Sequence, residues 1–339
     1  MKRRDLLVLT KLAAPLTLAS VLGLRPASPQ EGYPSRPVRL VVPSVPGGVH
    51  DVIARFWAER VRSHLGTVVI DNRGGGGGLI GASEVARSAP DGYSLLLGST
   101  TTQVLITAPL ANPPYDPVKD FAAVTVFAYS STAVVVHPSV PAQTLSELIA
   151  YAKANPGKLS YGSAGNGSIT HLAGELFKQR AGGLDIVHVP YKGIGQVLVD
   201  LLSGQIAMMS ANATAHVLDL HRAGKLRILA VNSARPITSA PELPISSESG
   251  LPGMLAQTTF GIFAPAGSPR PILERLNAVT QQVMAQSTFQ NELLSLGFEP
   301  LSDIGPEKAA SIFVQELVQW TPILRSISTA PGGSGAATR

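Results

Sequence analysis

Short apolar segments alternate with helical ones along this chain, and the turns joining them are rich in glycine and serine. Val38-Arg39-Leu40-Val41-Val42 reads as a buried strand ended by Pro43. After Pro46-Gly47-Gly48, residues Val52, Ile53, Phe56, Trp57, Val61 and Leu65 recur at helical spacing, with Asp51 placed as an N-cap. Residues 68–70 form a second strand, 74–78 a loop of five glycines, 80–88 a short helix and 93–97 a third strand. Such alternation predicts βαβ units around a parallel sheet.

A second set follows. Strands are expected at 133–136, 159–161, 186–189, 206–209 and 228–231, with helices at 144–155, 168–180, 197–202 and 213–223. After a strand at 260–264 only helices are expected, near 271–287, 289–296 and 306–327, with Gly297 as a C-cap. The chain reads as two α/β halves whose C-terminal helices return to the first half.

Composition narrows the class. At 339 residues and 45% hydrophobic, the chain is long enough for about two domains and too apolar to be wholly disordered. The absence of Cys excludes disulfides, thiolate metal sites, Cys nucleophiles and a lipoprotein anchor. The net charge of +5 is concentrated in residues 1–27, where Lys2, Arg3, Arg4, Lys11 and Arg25 face only Asp5, leaving the remainder near +1. A near-neutral body has no electrostatic footprint for nucleic acid.

Lys2-Arg3-Arg4 followed by 13 uncharged residues at 12–24 reads as a signal peptide over 1–27, since a bilayer span needs about 20 residues. Arg3-Arg4 loosely fits a twin-arginine signal, and an ordinary Sec leader is the favoured reading. The expectation is a soluble, exported, periplasmic protein that is not a lipoprotein. Residues 331–339 are expected to be disordered.

The sequence contains no G-x-S-x-G nucleophile elbow, and the glycine run at 74–78 is not followed by Lys, so a nucleotide P-loop fails. His171 and Glu175 are spaced i, i+4 on a helix, but no third metal ligand is evident; His171 is better read as ordering the preceding loop. His188, in an apolar strand, reads as a hydrogen-bonded core residue. Neither a metal nor a cofactor is called for.

Three Gly- or Ser-rich loops, at 44–51, 72–80 and 162–168, lie between a strand and the next helix. Helix N-termini present free N–H donors and partial positive charge, and glycine lets a ligand approach them closely. Several such ends at one cleft make an anion site without Lys or Arg, at the carboxyl ends of the strands. The alternative for each single loop is a plain tight turn; three in equivalent positions favour a carboxylate site.

Motifs spread over the chain resemble one family. They include Tyr33-Pro34-Ser35-Arg36-Pro37-Val38-Arg39, Pro90-Asp91-Gly92-Tyr93, Tyr161-Gly162-Ser163-Ala164-Gly165-Asn166-Gly167-Ser168, Val189-Pro190-Tyr191-Lys192-Gly193 and Gly261-Ile262-Phe263-Ala264-Pro265. The ordered series resembles the Bug family, periplasmic substrate-binding proteins of tripartite tricarboxylate transporters. The resemblance implies a type II periplasmic-binding-protein fold, two α/β lobes with a ligand cleft between them. Lobe one would be 28–128 plus 253–330 and lobe two 129–252. It further implies a carboxylate ligand held by backbone amides and hydroxyls of facing loops. The positions that match are Ser44, Val45, Pro46, Gly48, His50, Gly76, Gly77, Gly78, Ser99 and Thr100 in lobe one. In lobe two they are Ser163, Ala164, Gly165, Asn166, Ser168, Tyr191 and Asn212.

Two departures bear on the ligand. The family's first loop usually reads F-A-P-G-G-G-T-D, whereas here Val49 and His50 replace small residues. A Phe-Asp-Asn segment common in the family is Ser210-Ala211-Asn212 here, and Ala211 cannot pair with an ammonium. A dicarboxylate or aromatic acid is therefore favoured over an amino acid. The expected partners are membrane transporter subunits, and the protein is expected to be a monomer. Two alternatives remain: a ligand-sensing protein for a signalling partner, and, less favoured, an exported α/β hydrolase.

Overall fold

The computed structural model describes residues 32–108, 110 and 112–329; the expected signal peptide (1–27) and tail (331–339) lie outside the described residues. From Tyr33 onward the described residues belong to one compact unit. The first elements are β1 (Val38–Val42), α1 (Val49–Leu65), β2 (Val68–Asn72), α2 (Leu79–Ala86) and β3 (Ser94–Ser99). Then come β4 (Phe121–Val136), α3 (Leu145–Ala154), β5 (Leu159–Ser163), α4 (Ile169–Arg180), β6 (Ile186–Pro190), α5 (Ile194–Leu202) and β7 (Met208–Asn212). The last are α6 (Ala215–Arg222), β8 (Arg227–Val231), β9 (Gln257–Pro265), α7 (Arg270–Met284), α8 (Ser287–Ser295), β10 (Glu299–Pro300) and α9 (Pro306–Thr329).

The strands run in the order β2-β1-β3-β9-β4-β7-β5-β6, with β8 and β10 also pairing β4. The sheet is mixed, not parallel as the alternation predicts. β1 pairs β2 and β3 in parallel, and β5 pairs β6 and β7 in parallel. β9 lies antiparallel to β3 and β4, and β4 lies antiparallel to β7 and β8. Antiparallel strands at the centre let β4 and β9 run between the two parallel sets.

β4 is the element that sequence patterning underestimates most. It is 16 residues long, of which only 133–136 read as a strand. Thr125, Tyr129, Ser130, Ser131 and Thr132 interrupt its apolar run, yet Ser130, Ser131 and Thr132 are buried because the strand passes between the two halves. Its stretch from Phe121 to Ser131 pairs β9, and from Thr132 onward it pairs β7 and β8.

Other expectations are corrected locally. The strand expected at 206–209 runs instead over Met208–Asn212, because antiparallel pairing to β4 places Asn212 opposite Thr132. β10 is an unexpected strand among the C-terminal helices, held by Tyr129 and Ala128 of β4. The N-cap of α1 is Gly48, not Asp51; Asp51 sits inside the first turn, where its carboxylate accepts the Gly47 N–H at 2.8 Å and pairs with Arg55. Gly297 ends α8 as expected. Its φ of 84° is left-handed, and the Phe298 N–H reaches back to Leu293 O at 2.9 Å.

The C-terminal helices return to the first half. Trp57 of α1, fully buried, donates to Thr280 Oγ1 of α7 at 3.2 Å, and Phe56 packs on Phe289 of α8 with centroids 4.7 Å apart. One core cluster surrounds these residues, and a second unites Ile169, Leu172 and Phe177 of α4 with Phe313 and Trp320 of α9. Among the described residues no helix is long and apolar enough to cross a membrane.

Candidate functional site

Six strands end at one place. A cavity of about 640 Å³ of non-atom space, partly open to solvent, is lined by the residues just past the C-terminal ends of β1, β2, β3, β5 and β6 and by the last residue of β7. Ser44, Val45, Gly48, His50, Gly77, Gly78, Ala164, Ser168 and Asn212 line it, as sequence reasoning proposed. Pro46, Gly76, Ser99, Thr100, Ser163, Gly165, Asn166 and Tyr191 stand outside the lining.

Each of the residues set back has a traceable occupation. Ser99 Oγ lies 2.8 Å from His50 Nε2, and Thr100 Oγ1 accepts the Thr259 N–H of β9 at 2.9 Å. Tyr191 turns its hydroxyl to Asp200 Oδ2 at 2.6 Å, along α5. Ser163, wholly buried, accepts the Gly165 N–H at 3.2 Å and lies 2.7 Å from His188 Nε2. Asn166 offers its carbonyl to the opposite half; a β-carbon on Gly77 would stand 3.0 Å from it and 2.6 Å from Ile106 Cδ1. With φ at 68°, Gly77 is a position where only glycine meets both demands. Gly76 belongs to the same short 3-10 turn, Gly76–Gly78, and Pro46 is exposed at the rim.

The 163–168 loop is self-satisfied. Besides Gly165, the N–H of Ala164 goes to Thr170 Oγ1 at 3.0 Å and that of Gly167 to His171 Nδ1 at 3.3 Å. Ser168 caps α4 by accepting the His171 N–H, and the Ile169 N–H goes to Thr101 Oγ1 at 3.3 Å. A capping hydroxyl of this kind stabilises a helix by about 1 kcal/mol. The side chains that sequence reasoning assigned to a ligand here mostly hold the loop.

The opposite holds for α1 and α5. Their N-caps are Gly48 and Gly193, and neither has a side-chain cap. The first N–H groups of an uncapped helix have no intrahelical acceptor. Both first turns line the cavity, with Val49 and His50 on one side and Lys192, Gly193 and Ile194 on the other. The glycine at 193 also brings the two halves together, since a β-carbon there would stand 2.9 Å from Val45 Cγ2. Sequence reasoning missed Lys192, Gly193 and Ile194, although they occupy the same strand-to-helix position as the loops it selected. It also missed Thr101, which carries no sequence signal.

The histidines are neutral partners. Burial pushes His50 down to about 4, and its ring meets Phe260 edge-on at 5.2 Å. His188 is pushed down to about 3 by burial first, then by His171 and Lys178 nearby. It stacks between Tyr161 and His171, with centroids 4.8 and 4.2 Å away. His188 is half-buried in β6 rather than a core residue, and His171 does order the loop before it. A neutral His188 beside a buried Ser163 resembles half of a nucleophile–base pair. Ser163 is closed off from the cavity, however, and its oxygen is engaged by the Gly165 N–H.

Residues 53–328 match the family described as the tripartite tricarboxylate transporter family receptor. The chain belongs to this receptor family. It is 35% identical over 295 residues to the protein BugT of Bordetella pertussis, covering 86% of this chain and 90% of BugT. Among solved structures, Rpa4515 of R. palustris with adipate superposes with a TM-score of 0.83 at 34% identity, over 87% of this chain and 98% of that one. MatC (Rpa3494) from Rhodopseudomonas palustris with bound malate gives 0.81 at 29% identity, over 86% and 100%. The Bug-type resemblance and the periplasmic-binding-protein fold are thereby established, and the chain is a solute-binding receptor of a transporter, not an enzyme.

Proposed function

We propose that this receptor captures a small carboxylate lacking an amine, a dicarboxylate or an aromatic acid, in the periplasm, and delivers it to membrane subunits of a tripartite transporter. The observation that carries this reading is the cavity where uncapped first turns of α1 and α5 face one another. Two relatives of the same fold carry adipate and malate. No Asp or Glu lines the cavity to meet an ammonium.

The lobes are 28–128 with 253–330, and 129–252, so the chain crosses between them once within β4 and once just before β9. Binding works by closure. A ligand touching both halves binds the closed arrangement better, and that difference shifts the population. Moving the balance from 1:99 to 99:1 takes roughly 5.5 kcal/mol, within reach of a few charge-assisted hydrogen bonds at about 1.5–3 kcal/mol each.

A thermal-shift screen of carboxylic and amino acids, followed by calorimetry, tests the reading. Binding raises the melting temperature with ligand concentration. Tight aspartate or glutamate binding with no response to simple di- or aromatic acids would refute it, as would Gly48→Leu binding a confirmed ligand like wild type. Neighbouring genes for transporter subunits support uptake, whereas an adjacent sensor kinase supports the sensing alternative.

A further inference from the structure

The walls of the cavity are mostly apolar where they meet a ligand's body. Pro43, Val45 and Val49 line it from the first half, and Ile169 and Ile194 from the second. Most of the hydroxyl and amide side chains in the lining have their hydrogens committed. Ser44 donates to Val45 O at 3.2 Å, and Ser168 donates to Gly165 O at 2.7 Å. Thr170 is bonded to Ser168 at 2.9 Å and accepts from Ala164. Asn212 uses its amide on Ser130 O and Thr258 Oγ1, at 3.1 and 2.9 Å.

Lys192 stands apart by its charge. It is the only Lys, Arg, Asp or Glu in the lining, and among the described residues it makes no hydrogen bond or ion pair. It immediately precedes Gly193, the uncapped start of α5, so a cationic residue and free N–H groups belong to the same border of the cavity. One end of the cavity is therefore equipped for a negative charge. At the α4 end the N–H groups of Ala164, Gly165, Gly167, Ser168 and Ile169 are already spent within the protein, which leaves those of Asn166 and Thr170. A second carboxylate there would exchange its water for few remaining donors, which is costly.

We infer that the receptor selects a monocarboxylate with an apolar body, its single charge held by Lys192 and the first turns of α5 and α1, over more hydrophilic di- and tricarboxylates. This rests on the reading of the chain as a carboxylate receptor and replaces its dicarboxylate arm with apolar monocarboxylates. Lys192 is thus a specificity-determining residue, and Val49 helps set the preference for an apolar body.

The test is calorimetry on the purified protein with benzoate, hexanoate, adipate and citrate. Benzoate or hexanoate is expected to bind at least tenfold more tightly than adipate or citrate. Lys192→Gln is expected to weaken the monocarboxylate at least tenfold; the residue is exposed, so the melting temperature checks that folding is intact. Val49→Ser is expected to narrow the ratio between hexanoate and adipate. Adipate or citrate binding best overturns the inference while leaving the carboxylate reading intact, and so does unchanged monocarboxylate affinity in Lys192→Gln. No response to any of the four acids, in calorimetry or thermal shift, overturns both.

Discussion

Thr101 Oγ1 of the first half accepts the main-chain N–H of Ile169, the first residue of α4 in the second half, at 3.3 Å. A side chain from one half thus occupies a helix N-terminus of the other. Thr101 opens a π-helical turn, Thr101–Leu105, directly after β3, and it is buried. Under the proposed closure mechanism, this bond would favour the closed arrangement before any ligand contributes.

Thr101→Val keeps the shape and removes the acceptor. Losing a hydrogen bond of this type costs about 0.5–1.5 kcal/mol. Ligand affinity is expected to fall by roughly three- to tenfold, with the free protein more open by small-angle scattering. Equal affinity and equal radius of gyration in wild type and variant would contradict a role in closure.

Gly193 and Val45 meet across the same cleft. Gly193 has an extended backbone, φ −178°, so alanine brings no backbone strain there. Its β-carbon would nonetheless stand 2.9 Å from Val45 Cγ2. Gly193→Ala is expected to weaken ligand binding at least fivefold with little change in unfolding free energy. Val45→Ala in the same chain is expected to restore part of the loss, a non-additivity that a double-mutant cycle measures. Strictly additive effects would show that the two residues do not oppose each other on closure.

The pH response has two opposed parts. His50 and His188 are held below their ordinary value by burial, at about 4 and about 3. Their contribution is complete above about 6.5, the unfolded value, and is lost as pH falls toward those folded values. Glu316 of α9, hydrogen-bonded by Thr259 of β9, is pushed up by burial to about 7. Its contribution is complete below the ordinary 4.5 and is lost as pH rises through about 7. Between those limits the glutamate offsets the histidines. Glu316→Gln is therefore expected to lose more stability than wild type between pH 7 and pH 5, by urea unfolding. A shallower acid dependence in the variant would reverse the assignment.

How much was legible in the chain alone varies from element to element. β1, β5 and the helices α1, α3 and α4 are visible because their apolar residues recur at the period of the element and their ends carry Gly, Pro, Ser or Thr. The glycine loops after β1, β2 and β5 are visible for the same local reason. They lie at the end of the sheet where the cavity opens, as expected for a ligand site where parallel strands stop.

Pairing and occupancy were not legible. The length of β4 is hidden because the burial of Ser130, Ser131 and Thr132 comes from neighbours far along the chain. The state of each N–H at the cavity is hidden too: Ser168 and Thr101 satisfy two N–H groups of α4's first turn, while α1 and α5 have no side-chain cap. Local propensity and periodicity are properties of a few consecutive residues, so they survive in the order of the amino acids. A hydrogen bond between residues 101 and 169, or a glycine hydrogen set against Val45, exists only once the chain has folded back on itself.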